Sequence, residues 1–112
     1  GMVPLGNPDR IQSASAQKWG KYDVSDRDAL TGEYCTIHGG FDPVYANEIP
    51  DRVAPLDLLK ELEKEGYIGK TFEYFYTTTG TGTSVGNSVK FGTEIGKELK
   101  EAGVDGVILT ST

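Results

Sequence analysis

Three short runs of β-branched and aromatic residues, at 33–37, 72–77 and 107–109, stand out from an otherwise polar chain. Each has the length and composition of a buried strand. Between them the apolar spacing widens to about 3.6 residues, the period of a helix. Leu56, Leu59 and Leu62, with Leu58 alongside, predict a helix over 55–65; Pro55 suits its first turn and Gly66 its C′ position. Val85, Val89, Gly92, Ile95 with Gly96, Leu99 and Ala102 line one row of a second helix over 83–102, which Gly103 ends. Gly92 and Gly96 cost that helix about 1 kcal/mol each against alanine. Close packing of the helix on a sheet is the expected return.

Residues 1–33 show little periodicity and many turn formers, among them Pro4, Gly6, Asn7-Pro8 and a Ser/Ala-rich run from Ser13 to Ala16, and are read as mostly irregular. Ser25 is the one candidate there for the N-cap of a short helical turn. From 34 to 112 the order is strand, loop, helix, strand, loop, helix, strand. Such alternation predicts an α/β fold in which a parallel sheet with right-handed crossovers forms a Rossmann-like three-layer arrangement. The loops after Ile37, Thr77 and Leu109 would then share one edge, where α/β proteins place their ligands. The opening residues lack partners and the last strand has barely begun its loop. The whole of 1–112 is therefore read as a single, incomplete fragment of a larger subunit.

Composition narrows the function classes. Seventeen acidic residues against eleven Lys and Arg give a net charge of −6, which opposes general attraction to nucleic acid or an anionic membrane. No apolar run approaches the roughly 18–20 residues of a membrane span and no signal peptide is evident, so a cytoplasmic location is expected. Cys35, the single cysteine, cannot form an internal disulfide and reads as a small half-buried strand residue. One histidine and one cysteine give no metal-ligand spacing.

Chemistry is expected on the shared edge. The first loop offers His38, Gly39, Gly40, Asp42, Tyr45 and Asn47, the second Thr78, Thr79, Gly80 and Thr81, the third Thr110, Ser111 and Thr112. His38 beside paired glycines can hold a carboxylate or shuttle a proton, or simply pack and satisfy its neighbours. The glycine loop Gly80-Thr81-Gly82-Thr83-Ser84-Val85-Gly86 lacks the dinucleotide spacing and the P-loop lysine. It remains open as a tight turn into the helix, or as a seat for a phosphate-bearing or carboxylate ligand in a non-catalytic binding module.

Several separated blocks carry a family resemblance: Val3-Pro4-Leu5-Gly6-Asn7-Pro8-Asp9, His38-Gly39-Gly40-Phe41-Asp42-Pro43-Val44-Tyr45-Ala46-Asn47-Glu48, Tyr74-Phe75-Tyr76-Thr77-Thr78-Thr79-Gly80 and Val107-Ile108-Leu109-Thr110-Ser111-Thr112. In this order they resemble the selenoprotein B component of glycine, sarcosine and betaine reductases. The resemblance implies an oxidoreductase of amino-acid fermentation, which cleaves the substrate's C–N bond reductively with a selenocysteine placed directly after the Thr-Ser-Thr block. It further implies a partner subunit bearing a pyruvoyl group, transfer of the product to selenoprotein A, and a small amino-acid or amine substrate. By that resemblance this chain holds no catalytic residue or cofactor of its own and is inactive alone, and His38, Asp42, Thr79 and Thr110 to Thr112 are pocket residues beside the selenium. Self-association of the fragment through uncovered apolar surface is also expected.

Overall fold

The computed structural model describes residues 1–112. Its strands are β1 (Met2–Pro4), β2 (Gly20–Asp23), β3 (Tyr34–Thr36) and β4 (Tyr74–Thr77), and its α-helices are α1 (Val44–Glu48), α2 (Leu56–Lys64) and α3 (Val85–Glu101). A 3-10 turn, Pro50–Arg52, joins α1 to α2.

The opening residues are irregular outside two short strands, β1 and β2, each of which pairs antiparallel with a later strand. β1 lies on β3 with Val3 opposite Cys35, and β2 lies on β4 with Tyr22 opposite Phe75. The reason was present in the local alternation, since Gly20-Lys21-Tyr22-Asp23 buries every second residue. Ser25 caps no helix; its N–H and hydroxyl both donate to Asp23 Oδ1, at 2.9 and 2.6 Å, closing a turn after β2. β3 and β4 belong to different two-stranded ladders and no strand forms at 107–109. Val107, Ile108 and Leu109 are 56, 60 and 91% exposed, because nothing in the chain pairs with their backbone or covers their side chains.

The core lies between the two ladders. Val3 of β1, Tyr22 of β2 and Tyr34 of β3 are buried there with Ile11, Val24, Leu30, Ala54 and Leu56, and Phe75 of β4 packs against them. Tyr22, Tyr34 and Phe75 stack edge to face with centroids 6.1 Å apart in both pairs. Each such pair adds about 0.5–1.5 kcal/mol beyond its burial, so the stack fastens one ladder to the other.

Helix α2 falls where its leucine spacing placed it, with Leu56 buried and Gly66 turning the chain out at φ +79°. Leu58, at 53% exposure, stays outside. Helix α3 has the expected span but buries another face. Phe91 is its buried residue, with Asn87, Ile95, Glu98 and Leu99 partly covered. Val85 and Val89 are 80 and 63% exposed, and a Cβ built on Gly92 or Gly96 meets nothing within 4 Å. Close packing on a sheet is thus not what these two glycines provide. The helix is held by its polar side: Lys21 Nζ lies 2.7 Å from Glu98 Oε2, Tyr76 donates to the same oxygen at 3.0 Å, and Trp19 Nε1 donates to Glu94 at 2.7 Å.

Candidate functional site

The C-terminal ends of β3 and β4, at Thr36 and Thr77, release the two polar loops that meet. His38 Nε2 hydrogen-bonds Thr81 Oγ1, and the same hydroxyl donates to Gly39 O at 3.2 Å. The other ring nitrogen, Nδ1, is buried with no partner in the chain. Phe41 packs edge to face on the imidazole at 6.1 Å.

A third segment, missed in the sequence, completes the loops. Ser13 O accepts from Gly39 N at 2.9 Å, Ser15 N donates to Thr81 O at 2.7 Å, and Ala16 N donates to Thr83 Oγ1 at 3.0 Å. The Ser/Ala run reads as irregular chain; contacts such as that of Ala16 with Thr83, 67 residues along, give it a role. Gly82 favours glycine, since its φ is +65° and an added Cβ would lie 3.2 Å from Ser15 Oγ. Thr83 Oγ1 donates in turn to Thr79 O at 2.7 Å, and Ser84 caps α3 by accepting from Asn87 N at 3.2 Å. In the glycine loop the carbonyls of Gly80 and Thr81 and the hydroxyls of Thr81, Thr83 and Ser84 are engaged by the chain itself.

Thr112 arrives beside these loops. Its Oγ1 lies 3.3 Å from Gly1 N. Gly1 is wedged between the strand ends: its carbonyl accepts from Ile37 N at 3.3 Å, and an added Cβ would lie 2.1 Å from Thr78 O. Thr110 and Ser111 are exposed.

The other candidates from the first loop face different tasks. Asp42 Oδ1 accepts from Val44 N at 3.1 Å and starts α1. Asn47 Oδ1 accepts from Thr36 N at 2.7 Å and ties α1 to β3. Tyr45 is 71% exposed and Gly40 turns the loop at φ +82°. His38, Gly39, Thr78, Thr79, Gly80 and Thr112 are therefore gathered at the strand ends, while Asp42, Tyr45 and Asn47 sit on the α1 side.

Between the second loop and α3 lies a cavity of about 210 Å³ whose wall includes Thr78, Thr79, Gly80, Thr83, Ser88 and Phe91. Thr79 is 1% exposed and its hydroxyl has no hydrogen-bond partner. At the opposite ends of both ladders a wider open cleft of about 520 Å³ runs past Leu5, Tyr22, Arg27 and Tyr34. No group of three or more His, Cys, Asp or Glu side chains comes together in the chain. Cys35 is a free, half-buried thiol whose pKa burial raises, which is the reverse of an activated nucleophile. No helix is long and apolar enough to cross a membrane.

Comparison with known proteins agrees with the residue blocks. The family model for glycine/sarcosine/betaine reductase selenoprotein B matches residues 1–112. Over its whole length the chain is 60% identical to the glycine reductase complex component B subunit gamma of Peptoclostridium acidaminophilum. The same organism's betaine reductase complex component B subunit beta is 56% identical, and its sarcosine reductase complex component B subunit beta 50%. The chain covers 26% of each, so it spans about a quarter of the length of these curated relatives. No solved structure matches. With the family model matched from the first residue to the last, and relatives in three kinds of reductase complex, the chain belongs to the glycine/sarcosine/betaine reductase selenoprotein B family.

Proposed function

We propose that this chain is the part of the substrate-specific reductase component that builds one wall of the active site, with the reactive selenocysteine following Thr112. The observation that carries the reading is the convergence of the loops leaving β3 and β4, joined by the His38–Thr81–Gly39 contacts. The polar, hydroxyl-rich surroundings of Thr112 and Thr78 suit a selenolate, which hydrogen-bond donors stabilise as they do a thiolate. In the assembled enzyme the selenium supplies a nucleophile for the substrate carbon, and a pyruvoyl-bearing partner subunit supplies the carbonyl that engages the amine. This chain's own residues bind and orient: Thr78 and Thr79 border the cavity, and the His38–Thr81–Gly39 contacts hold the two loops together. Selenoprotein A takes the product onward. The chain alone carries no redox group and is inactive.

For the whole subunit the α/β order supports a parallel, Rossmann-like sheet, to which β4 and 107–109 would contribute once the remaining segments are present. The rival reading, a binding module gripping phosphate at Gly80 to Gly86, has less behind it. Ser13 to Ala16 already lie along that loop, and Ser84 already caps Asn87 N.

The coding DNA tests the proposal directly. A TGA codon is expected immediately after the Thr112 codon, with an open frame continuing beyond it. A sense codon for another residue, or a stop with no open frame behind it, sinks the selenocysteine placement.

A further inference from the structure

The backbone of β4 is paired along one edge only. Val24 N donates to Glu73 O at 2.8 Å, and Tyr22 stands opposite Phe75 in the same antiparallel register. Bonded pairs alternate in such a ladder, so Glu73, Phe75 and Thr77 turn their backbone groups to β2 while Tyr74 and Tyr76 turn theirs the other way. No third strand lies on that side. Helix α3 overhangs it. At about 100° per residue, Glu94, Glu98, Phe91, Ser88 and Gly92 follow one another round the helix. Glu94 is bonded by Trp19 and Glu98 by Lys21, at the start of β2; Glu98 is also bonded by Tyr76 of β4. Ser88, Phe91 and Gly92 border the cavity with Thr78, Thr79 and Gly80, just past the end of β4. The order therefore runs from β2 to β4, and the next positions round the helix are Val85, Gly96 and Val89. All three are exposed on the side of the free edge. They carry no charge, whereas Lys90, Lys97 and Glu101 occupy the arc beyond them.

We infer that in the full-length subunit Val107, Ile108 and Leu109 form a strand parallel to β4 on its free edge, with Val85, Val89, Gly92 and Gly96 packed over it. The inference deepens the sheet reading proposed above, on which it rests, by naming the edge, the pairing and the helix face. The lengths agree. The 17 residues of α3 span about 25 Å, and the extended chain from Val104 to Thr112 spans about 30 Å. Gly103, at φ +74°, and the bond from Val104 N to Leu99 O at 3.0 Å reverse the chain at the end of α3. The segment can thus return along the helix to the level of the second loop. Val107, Ile108 and Leu109 are 56, 60 and 91% exposed, so an uncovered apolar segment and an uncovered apolar helix row follow one another in the same chain. The sheet that Gly92 and Gly96 lack within residues 1–112 is then the one this strand extends. A parallel strand needs cover on both faces, and α3 covers one. The relatives are about four times as long, and their further chain supplies the other cover. Parallel neighbours end side by side, about 4.8 Å apart, so Thr110 to Thr112 leave the sheet beside Thr78 to Gly80. The reactive position that follows them is thereby set against the second loop.

The test is amide exchange resolved to single residues, on the full-length subunit. Tyr74 and Tyr76, with residues 107–109, are expected to exchange at least about 100-fold more slowly than unprotected amides. Ile108→Pro, which breaks a strand inside a sheet, should release Tyr74 and Tyr76 while Phe75 and Thr77, bonded to β2, stay slow. Val89→Cys in the native subunit should resist a maleimide, and Lys90→Cys should react; this pair decides the matter even if Ile108→Pro fails to fold. Rapid exchange at Tyr74 and Tyr76 in the wild type overturns the strand. So does slow exchange that folded Ile108→Pro leaves unchanged, or ready labelling of Val89→Cys. Protection that appears only in the assembled complex, or only where the subunit dimerises, gives the edge to a partner subunit or a second copy and overturns it equally. The codon after Thr112 tests the selenocysteine reading separately, because the strand pairing does not depend on which residue stands there.

Discussion

Asp51 is the residue on which most of the local architecture turns, although it lies away from the candidate site. It is 5% exposed, and its carboxylate accepts from Leu30 N at 2.9 Å, Thr31 N at 2.9 Å, Thr31 Oγ1 at 2.8 Å and Asp57 N at 3.2 Å. One side chain thus fixes the turn that enters β3 and the first turn of α2. Removing it strands several buried donors, each of which costs free energy when unmade. Asp51→Ala should destabilise the chain by about 3 kcal/mol and lower its melting temperature by on the order of 10 °C. Thermal unfolding followed by circular dichroism checks this; a change within a degree or two would mean that water replaces the carboxylate without loss. Nothing in the sequence singles out Asp51, because its four donors come from residues 30–31 and 57 and only the fold gathers them. The lone histidine was easier to see. What it bonds was not legible, since Thr81 is 43 residues away.

Helix α3 shows how periodicity can give the element and miss its orientation. Of the expected row, Val85, Val89, Gly92, Gly96 and Ala102 are exposed while Ile95 and Leu99 are half-buried, and the docked face centres on Phe91 with Glu94 and Glu98. Two glutamates facing β2 and β4 look like a solvated face in the sequence. They are instead met by Trp19, Lys21 and Tyr76. The hydrogen bond from Lys21 holds the Glu98 carboxyl below its ordinary value of 4.5, with Tyr76 adding to the effect. A carboxylate whose pKa is depressed on folding contributes stability that is fully present above its unfolded pKa and lost as pH falls through the folded one. The docking of α3 should therefore weaken as pH drops below about 4.5, and Glu98→Gln should remove that part of the acid dependence. The readout is Trp19 fluorescence across an acid titration, since the indole is bonded to the same helix. Identical acid profiles for the two proteins would show that this cluster does not hold the helix.

Across the whole molecule, exposure is higher than a chain of this size needs. Its accessible surface is 6918 Å². A compact monomer of 12.1 kDa is expected to expose about 6,000 Å². The excess of roughly 900 Å² is close to what one partner contributes to a standard protein–protein interface, about 800 Å². Much of it is apolar, with Val85 and Val89 on α3 and Val107 to Leu109 at the end of the described residues. The chain by itself should self-associate, with an average mass by light scattering that climbs with concentration. A constant monomer mass over a hundredfold range would contradict this. In the longer relatives the same surfaces have about three times as much further chain available to cover them.

The sequence by itself determined the family, because separated blocks in a fixed order need no geometry to be matched. It also determined α2, α3 and the strands β3 and β4, whose length, spacing and end residues are local properties. Only the tertiary structure decided which strands pair, that the opening residues supply half of both ladders, and which face of α3 is buried. Pairing partners are chosen by the burial of aromatic residues far apart in the chain, such as Tyr22, Tyr34 and Phe75. The candidate site divides in the same way. Its hydroxyl-rich loops were legible as residue types after strand ends. The cavity beside Thr79, and the open wall at Gly92, exist only where α3 comes to rest against the second loop.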